Sequence, residues 1–315
     1  NVIKLEQNYR SHGHIRTAAN TLIAQNAHRL GKNLWTAEGE GEPIRVFDAY
    51  SDQDEASFVV DEVRALNREG VNLSDMAAMG ALPRWAVLAA ALPAATETWL
   101  EKFTQGFFAC AEEFGVDIIG GDTTKGPRNL CVTIFGEVPS GQALLRSGAH
   151  LYEEIWVSGM PGRAALGLAH LQGRVELTEP ALSVCLAALH RPQPRVELGL
   201  ALRRLASSCI DVSDGLLADL GHLLEASSLA ATLRLETLPA PGIERDAYLA
   251  GGDDYELIFT APAINHVDIV SLSEELDLPL TCLGKTEAGP AGQLAIFDGA
   301  GSPVEITQRG FDHFA

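Results

Sequence analysis

The chain has 315 residues, 46% of them hydrophobic and 21% charged, a composition that suits a globular protein with room for two domains. Its net charge of −19 excludes the broad basic face that generic DNA binding requires. A protein this acidic would handle phosphates through metal ions, which bridge carboxylates to phosphate oxygens.

Residues 1–70 open with Leu5-Glu6-Gln7-Asn8-Tyr9-Arg10-Ser11. A helix is expected next, with Ile15, Ala18, Ala19, Leu22 and Ile23 on one face. An acidic Gly-rich loop (38–42) leads to a strand, Ile44–Phe47, and a second helix, Gln53–Glu69, turns Phe58, Val59, Val63 and Leu66 toward a core. The heptapeptide, the stretch 32–63 and their order resemble the second RecA-like domain of UvrD/Rep-type superfamily-1 DNA helicases. That resemblance implies a place for Tyr9 near a nucleotide base and for Arg10 at an ATP γ-phosphate. No G-x-x-x-x-G-K-[ST] loop occurs in the sequence, so this arginine has no P-loop to face. Neither a DNA motor nor a nucleic-acid partner is expected.

From residue 71 the pattern changes. Asn72–Ala81 reads as a helix end or turn carrying Asp75 among small residues, which permit close packing on a neighbouring backbone. A strand is expected up to Pro93. From Thr96, a candidate N-cap, to Gly115, the residues Trp99, Leu100, Phe103, Phe107, Cys110, Ala111 and Phe114 recur at helical spacing. The helix feeds Ile118-Ile119-Gly120-Gly121-Asp122-Thr123-Thr124-Lys125-Gly126-Pro127. Glycines let a backbone approach a phosphate closely, and a strand end aims Asp122 in a fixed direction. Strand-to-turn punctuation accounts for the same residues. Leu130, Val132 and Ile134 then alternate with Cys131, Thr133 and Phe135 in a strand.

Arg146-Ser147-Gly148 precedes the strand Glu154–Ser158; the arginine is either a surface residue or a bridge between phosphates. Helices are expected over 161–171, over 180–190 and, after Pro192-Gln193-Pro194-Arg195, up to Ala206. In Cys209-Ile210-Asp211-Val212-Ser213-Asp214-Gly215 a strand runs into an amphipathic helix bearing Leu216, Leu217, Leu220, Leu223 and Leu224. Asp211, Ser213 and Asp214 therefore surround a helix N-terminus, where they serve as caps or, with phosphate, as metal ligands. Gly251-Gly252-Asp253-Asp254-Tyr255-Glu256 leads into another strand. Strands 281–284 and 294–297 follow, and the chain closes on Gly310-Phe311-Asp312-His313-Phe314. The five scattered cysteines read as small core residues of a reducing cytoplasm. No zinc is expected, because the histidines show no H-x-x-x-H or H-E-x-x-H spacing. No apolar run approaches the ~20 residues of a membrane span, and no signal-peptide pattern opens the chain.

Taken together, NLSDMAAMGA, IIGGDTTKGP, RSGA, IDVSDGLLADLGHLLEAS, GGDDYELIFT and GFDHF resemble the thiamine-monophosphate kinases, of the aminoimidazole-ribonucleotide-synthetase-like (PurM-like) ATP-binding superfamily. The resemblance spans about 245 residues. It implies an α/β (α+β) kinase fold in two subdomains, 71–145 and 146–315, preceded by the helicase-like fragment 1–70. It implies a cytoplasmic enzyme that transfers the ATP γ-phosphate to thiamine monophosphate. Asp75, Asp122, Asp211 and Asp214 would bind Mg²⁺. Gly121, Asp122, Arg146 and Ser213 would contact ATP, while Glu256 and Phe311 would hold the thiamine moiety. The family's homodimer, built by shared N-terminal subdomains, is implied as well.

The departures from the family are specific. Its N-terminal segment is replaced by the helicase-like piece; an Asp-Asp motif, a Ser/Thr-Asp-Thr metal cluster and a substrate-binding histidine are missing with it. The N-terminal subdomain is therefore expected to be incomplete. Glu153-Glu154 stands where the family carries Gly-Asp before its strand. A chimera with impaired catalysis is expected. The alternatives are a catalytically dead chimera that binds nucleotide or thiamine phosphate, and a helicase fragment with an unrelated tail.

Overall fold

The computed structural model describes residues 72–94, 96–235, 242–304, 306 and 310. The chain divides into two compact units, 1–61 and 62–315, and every described residue belongs to the second. The expected elements of residues 1–70, Tyr9 and Arg10, and Phe311 lie outside the described residues.

Asn72–Ala81, read as a helix end or turn, forms helix α1 (Asn72–Ala78) followed by a turn. The small residues matter as expected. A Cβ added at Gly199 would stand 2.1 Å from the Ala77 carbonyl oxygen, so only glycine lets the later helix α5 (Val196–Leu202) approach α1 this closely. Strand β1 (Leu82–Leu92), helix α2 (Glu97–Glu113) and strand β2 (Asp117–Lys125) make a β-α-β unit, and a crossover helix is what brings two strands together in parallel. Strand β3 (Asn129–Glu137) adds to the other side of β1 antiparallel, giving the sheet order β2-β1-β3. Leu130, Val132 and Ile134 are half-buried while Cys131, Thr133 and Phe135 are exposed, the alternation read in the sequence.

Helix α2 forms at the expected place, without the expected cap bond. Thr96 precedes the helix in extended backbone but makes no side-chain cap. The apolar face forms, yet no residue of the helix is buried. Its aromatic rings stack on one another instead, Trp99 on Phe103 at 5.1 Å and Phe103 on Phe107 at 5.8 Å, as residues four apart on a helix can. The face borders a cavity of about 680 Å³ shared with Ala86, Val132, Ile134 and the 190–194 link. Cys110 on α2 and Cys131 on β3 are exposed for the same reason, so only Cys185 and Cys209 are buried as expected of core cysteines.

The second sheet has six strands in the order β5-β7-β4-β8-β6-β9. They are β4 (Glu154–Ser158), β5 (Ser208–Asp211), β6 (Ala230–Arg234), β7 (Leu257–Ala261), β8 (Leu280–Glu287) and β9 (Leu294–Phe297). Strands β4, β5 and β7 are buried along their whole length because both faces are covered. Period-two alternation divides their side chains between two cores. Ile155, Val157, Ile210 and Ile258 meet Leu216, Leu217, Leu220, Leu223 and Leu224 of helix α6 (Leu216–Ser227) and Tyr248 and Leu249 of helix α7 (Gly242–Ala250). Trp156, Cys209, Leu257 and Phe259 meet Ala77 and Ala78 of α1, Leu198 and Leu202 of α5, and Ile269 and Leu272 of helix α8 (His266–Glu275). Helices α3 (Arg163–Leu171) and α4 (Ala181–His190) pack together, Gly167 against the Cys185 carbonyl. Helix α5 ends at Leu202, short of the expected Ala206.

Candidate active site

Strand β5 delivers Asp211, buried, to the open end of the six-stranded sheet, where the chain turns through Val212–Gly215 into α6. Asp219 on the first turn of α6 fixes that turn. Its Oδ2 accepts the backbone N–H of Ser213 (2.9 Å), Asp214 (2.9 Å) and Gly215 (3.1 Å). Gly215 adopts φ 127°, and a Cβ there would come within 2.8 Å of the Ala250 carbonyl oxygen. A helix start whose free amides are collected by its own side chain is rigid, and Asp214 is held within it.

The acids of this turn meet one from α1 and a cation from the 3₁₀ turn Arg146–Gly148. Burial, and then the charge of Asp75, push Asp211 up to about 6, with Arg146 pulling the other way and Asp214 adding to the rise. Asp75 is itself raised by burial and restrained by Arg146. Burial pushes Asp219 up to about 7, with the charges of Asp214 and Asp211 adding to it, against the amides it accepts. Ligand atoms of Asp214, Asp219 and His222 lie within 4.8 Å of one another. Two like charges about 5 Å apart repel by roughly 3 kcal/mol at an effective dielectric near 20, so the set favours a cation. The Arg146 turn is anchored in place: its carbonyl accepts from Ser227 Oγ at 2.8 Å, and a side chain at Gly148 would strike the Ser207 carbonyl.

The Gly251–Glu256 loop interlocks with the Asp211–Gly215 turn. Asp253 N–H donates to the Ser213 carbonyl (2.9 Å), Tyr255 N–H to the Val212 carbonyl (3.0 Å), and Val212 N–H to the Glu256 carbonyl (2.7 Å). Asp253 and Tyr255 take left-handed φ values of 68° and 55°, a strain the interlock sustains. Asp254 reaches α3 and accepts the N–H of Gly162 (2.5 Å) and Ala164 (2.9 Å). Burial pushes it up to about 7 despite those bonds. Glu256, also buried, accepts two bonds from Arg195 and one from Ser158. Gly310, the residue before Phe311, packs against the Asp214 carbonyl and the Ala218 methyl.

The structure thus brings Asp75, Arg146, Asp211 and Asp214 together and ties Ser213 to the Glu256 loop. It does not gather Gly121 and Asp122 with them. Both lie on β2 of the other sheet; Asp122 is exposed and is not among the charges acting on Asp75, Asp211 or Asp219. The glycine pair sits where the β1–β2 register slips by one residue, with φ 156° and 154°, and a Cβ on Gly121 would stand 1.9 Å from the Leu88 carbonyl oxygen. Strand pairing therefore demands glycine there on its own account. Asp219, Asp254 and Arg195 were not singled out from the sequence. The signal for Asp219 was an acid four residues past a helix-start glycine; that for Asp254 was the Asp-Asp doublet.

Two family models match the chain: AIR synthase related protein, N-terminal domain, over residues 69–138, and UvrD-like helicase C-terminal domain over residues 3–81. The mixed α/β fold, with carboxylates gathered at a strand end and a helix N-terminus, defines the class as the AIR-synthase-related fold. Thiamine-monophosphate kinase of Salmonella typhimurium is 43% identical over 255 residues, 78% of each chain. The crystal structure of thiamine-monophosphate kinase from Stenotrophomonas maltophilia is 46% identical, with a TM-score of 0.67 over 74% of this chain and 77% of that one. AaThiL complexed with AMPPCP and TMP is 28% identical, with a TM-score of 0.64 over 80% and 81%. The chain belongs to the thiamine-monophosphate kinase family.

Proposed function

We propose that the chain transfers the γ-phosphate of ATP to thiamine monophosphate, giving thiamine diphosphate. The observation that carries this reading is the convergence of Asp75 and Asp211 on Arg146, with Asp214 beside Asp211, in a chain 43% identical to a kinase of that specificity. The donor set fits Mg²⁺: it is all carboxylate oxygen, it lacks a thiolate, and burial raises Asp75 and Asp211, the latter further through the charge of Asp75. Asp75, Asp211 and Asp214 would hold one ion, and Asp122, apart from them on β2, would serve another. Bound there, Mg²⁺ neutralises charge on the transferred phosphate.

The chain's own residues do the rest. Arg146 and the Ser213 side chain, with Gly121 and Asp122 of β2, orient the ATP phosphates. Glu256 accepts a hydrogen bond from the thiamine moiety and Phe311 stacks on it. The acceptor is a phosphate oxygen, already ionised, so no side chain need remove a proton; no histidine is given a catalytic role. The reaction belongs to thiamine diphosphate synthesis in the cytoplasm, and no helix among the described residues is long and apolar enough to cross a membrane. A homodimer formed through the three-stranded sheets belongs to the same proposal.

Residues 1–70 favour a second element of the reading. The helicase-like match to residues 3–81 begins ahead of α1 and runs across it, and the family's further metal ligands are expected ahead of α1. The chain should then bind both ligands but turn over slowly. Calorimetry with Mg·ATP and with thiamine monophosphate tests binding. An assay for thiamine diphosphate separates a slow kinase from a binding protein, and failure of both ligands to bind would overturn the assignment.

A further inference from the structure

Arg195 follows Pro192-Gln193-Pro194 and starts helix α5, a position that reads in the sequence only as a break in the chain. The structure gives it a partner 61 residues away. Its Nε donates to Glu256 Oε2 at 2.8 Å and its Nη2 to Oε1 at 2.6 Å, a two-pronged pair. Ser158 Oγ, at the end of β4, donates to the same Oε2 at 2.5 Å while accepting the Leu257 amide at 2.9 Å. Behind the carboxylate lies Gly159 at φ 57°; a Cβ there would come within 1.9 Å of Oε1.

The delivery of the guanidinium is equally constrained. Pro194 restricts the backbone entering α5, the Arg195 carbonyl accepts the Gly199 amide at 2.9 Å, and Leu198 and Leu202 anchor the helix in the core. The Glu256 side chain is 8% exposed, that of Arg195 26%. A carboxylate offers about four lone-pair sites. Three are taken, which leaves one on Oε1, enough to accept a single N–H such as the amino group of an aminopyrimidine.

We propose that Arg195 is a positioning residue for thiamine monophosphate: its fork fixes the Glu256 carboxylate in place and aims the one free lone pair at the substrate's amino group. This rests on the substrate reading given above for Glu256. Removing the guanidinium would leave a buried carboxylate without its two-pronged partner, free to turn away. Lysine would restore charge without the two-pronged geometry.

The test is calorimetry with thiamine monophosphate and, separately, Mg·ATP on the full chain and on R195M, R195K, E256Q and R195M/E256Q, with melting curves to confirm folding. R195M should bind thiamine monophosphate at least about tenfold more weakly, the scale of one hydrogen bond to a charged group, with Mg·ATP changed less than about twofold. R195K should recover part of that loss. The double variant should be no weaker than E256Q, because Arg195 acts through Glu256. Should R195M melt out, R195K against E256Q carries the comparison, with R195K expected between E256Q and the unaltered chain. Equal losses for both ligands, or losses that add in the double variant, would overturn the proposal. If the unaltered chain binds Mg·ATP but not thiamine monophosphate, the substrate reading itself fails, and this inference with it.

Discussion

Strands β4, β5 and β7 of the six-stranded sheet are buried from end to end, with helices on both faces. In the three-stranded sheet, β2 is exposed from Ile119 to Lys125, and α2 lies beside it without burying one residue. Both regions carry apolar residues at helical or strand period. Periodicity therefore reports which face a residue occupies and says nothing about what covers that face. The acid cluster follows the same division. Asp211 at the end of β5, Asp214 in the turn after it and Asp219 on α6 stand at the well-packed sheet, where rigid neighbours hold like charges together, whereas Asp122 stands on the exposed one.

Truncation at matched aromatic positions should widen this contrast most. Phe259 is fully buried and stacks on Trp156 at 6.4 Å, so Phe259→Ala should cost about 3–5 kcal/mol of stability in denaturant titrations. Phe103→Ala, on the stacked but unburied ladder of α2, should cost about 1 kcal/mol or less. Similar costs at the two sites would show that α2 is as well packed as the core.

A smaller effect is expected at the site. Asp214→Ala should weaken Mg·ATP by about tenfold or more in calorimetry, and Asp122→Ala should weaken it as well, each removing one charged contact. Unchanged affinity in both variants would remove the metal assignment from both sheets. A loss confined to Asp214→Ala would leave the six-stranded half to hold the nucleotide alone.

The pH dependence should be gentler still. Asp254 is raised from 3.8 to about 7, chiefly by burial. Below about pH 4 the group is protonated in folded and unfolded chains alike, and well above 7 it is ionised in both. Between these limits the folded chain alone keeps the proton, so the stability it contributes is lost as pH rises through the window. Melting temperatures taken in chelator from pH 5 to 8 should fall, and Asp254→Asn, which cannot ionise, should flatten part of the slope. A slope unchanged in that variant would show that Asp254 does not titrate there.

Much of this architecture was legible in the sequence. Asp-Val-Ser-Asp-Gly before a leucine-rich run announced both the helix start and its acids, since capping residues and apolar period are local signals. The alternation of β3 was equally plain. Three things were not legible, for one physical reason: each depends on a partner distant in sequence or on backbone geometry that no spacing records. Arg195 meets Glu256 across 61 residues. Asp219 bends back to three amides that converge only when Gly215 adopts its positive φ. Gly120-Gly121 read as a phosphate cradle, and the close approach of Gly121 to the Leu88 carbonyl, just past the register slip between Ala86 and Val87, supplies a second demand for glycine that only the strand pairing reveals.

The most direct test is to follow a radiolabelled γ-phosphate from ATP in the presence of thiamine monophosphate, with and without Mg²⁺. The account predicts labelled thiamine diphosphate that forms only with Mg²⁺, at least ~10²-fold more slowly than the ~1 s⁻¹ of an ordinary kinase, the cost proposed above for a helicase-like segment in place of the ligands expected ahead of α1. No labelled thiamine diphosphate, under conditions where both ligands are bound, would contradict the kinase assignment. Formation at ~1 s⁻¹ or faster would contradict the role given to residues 1–70.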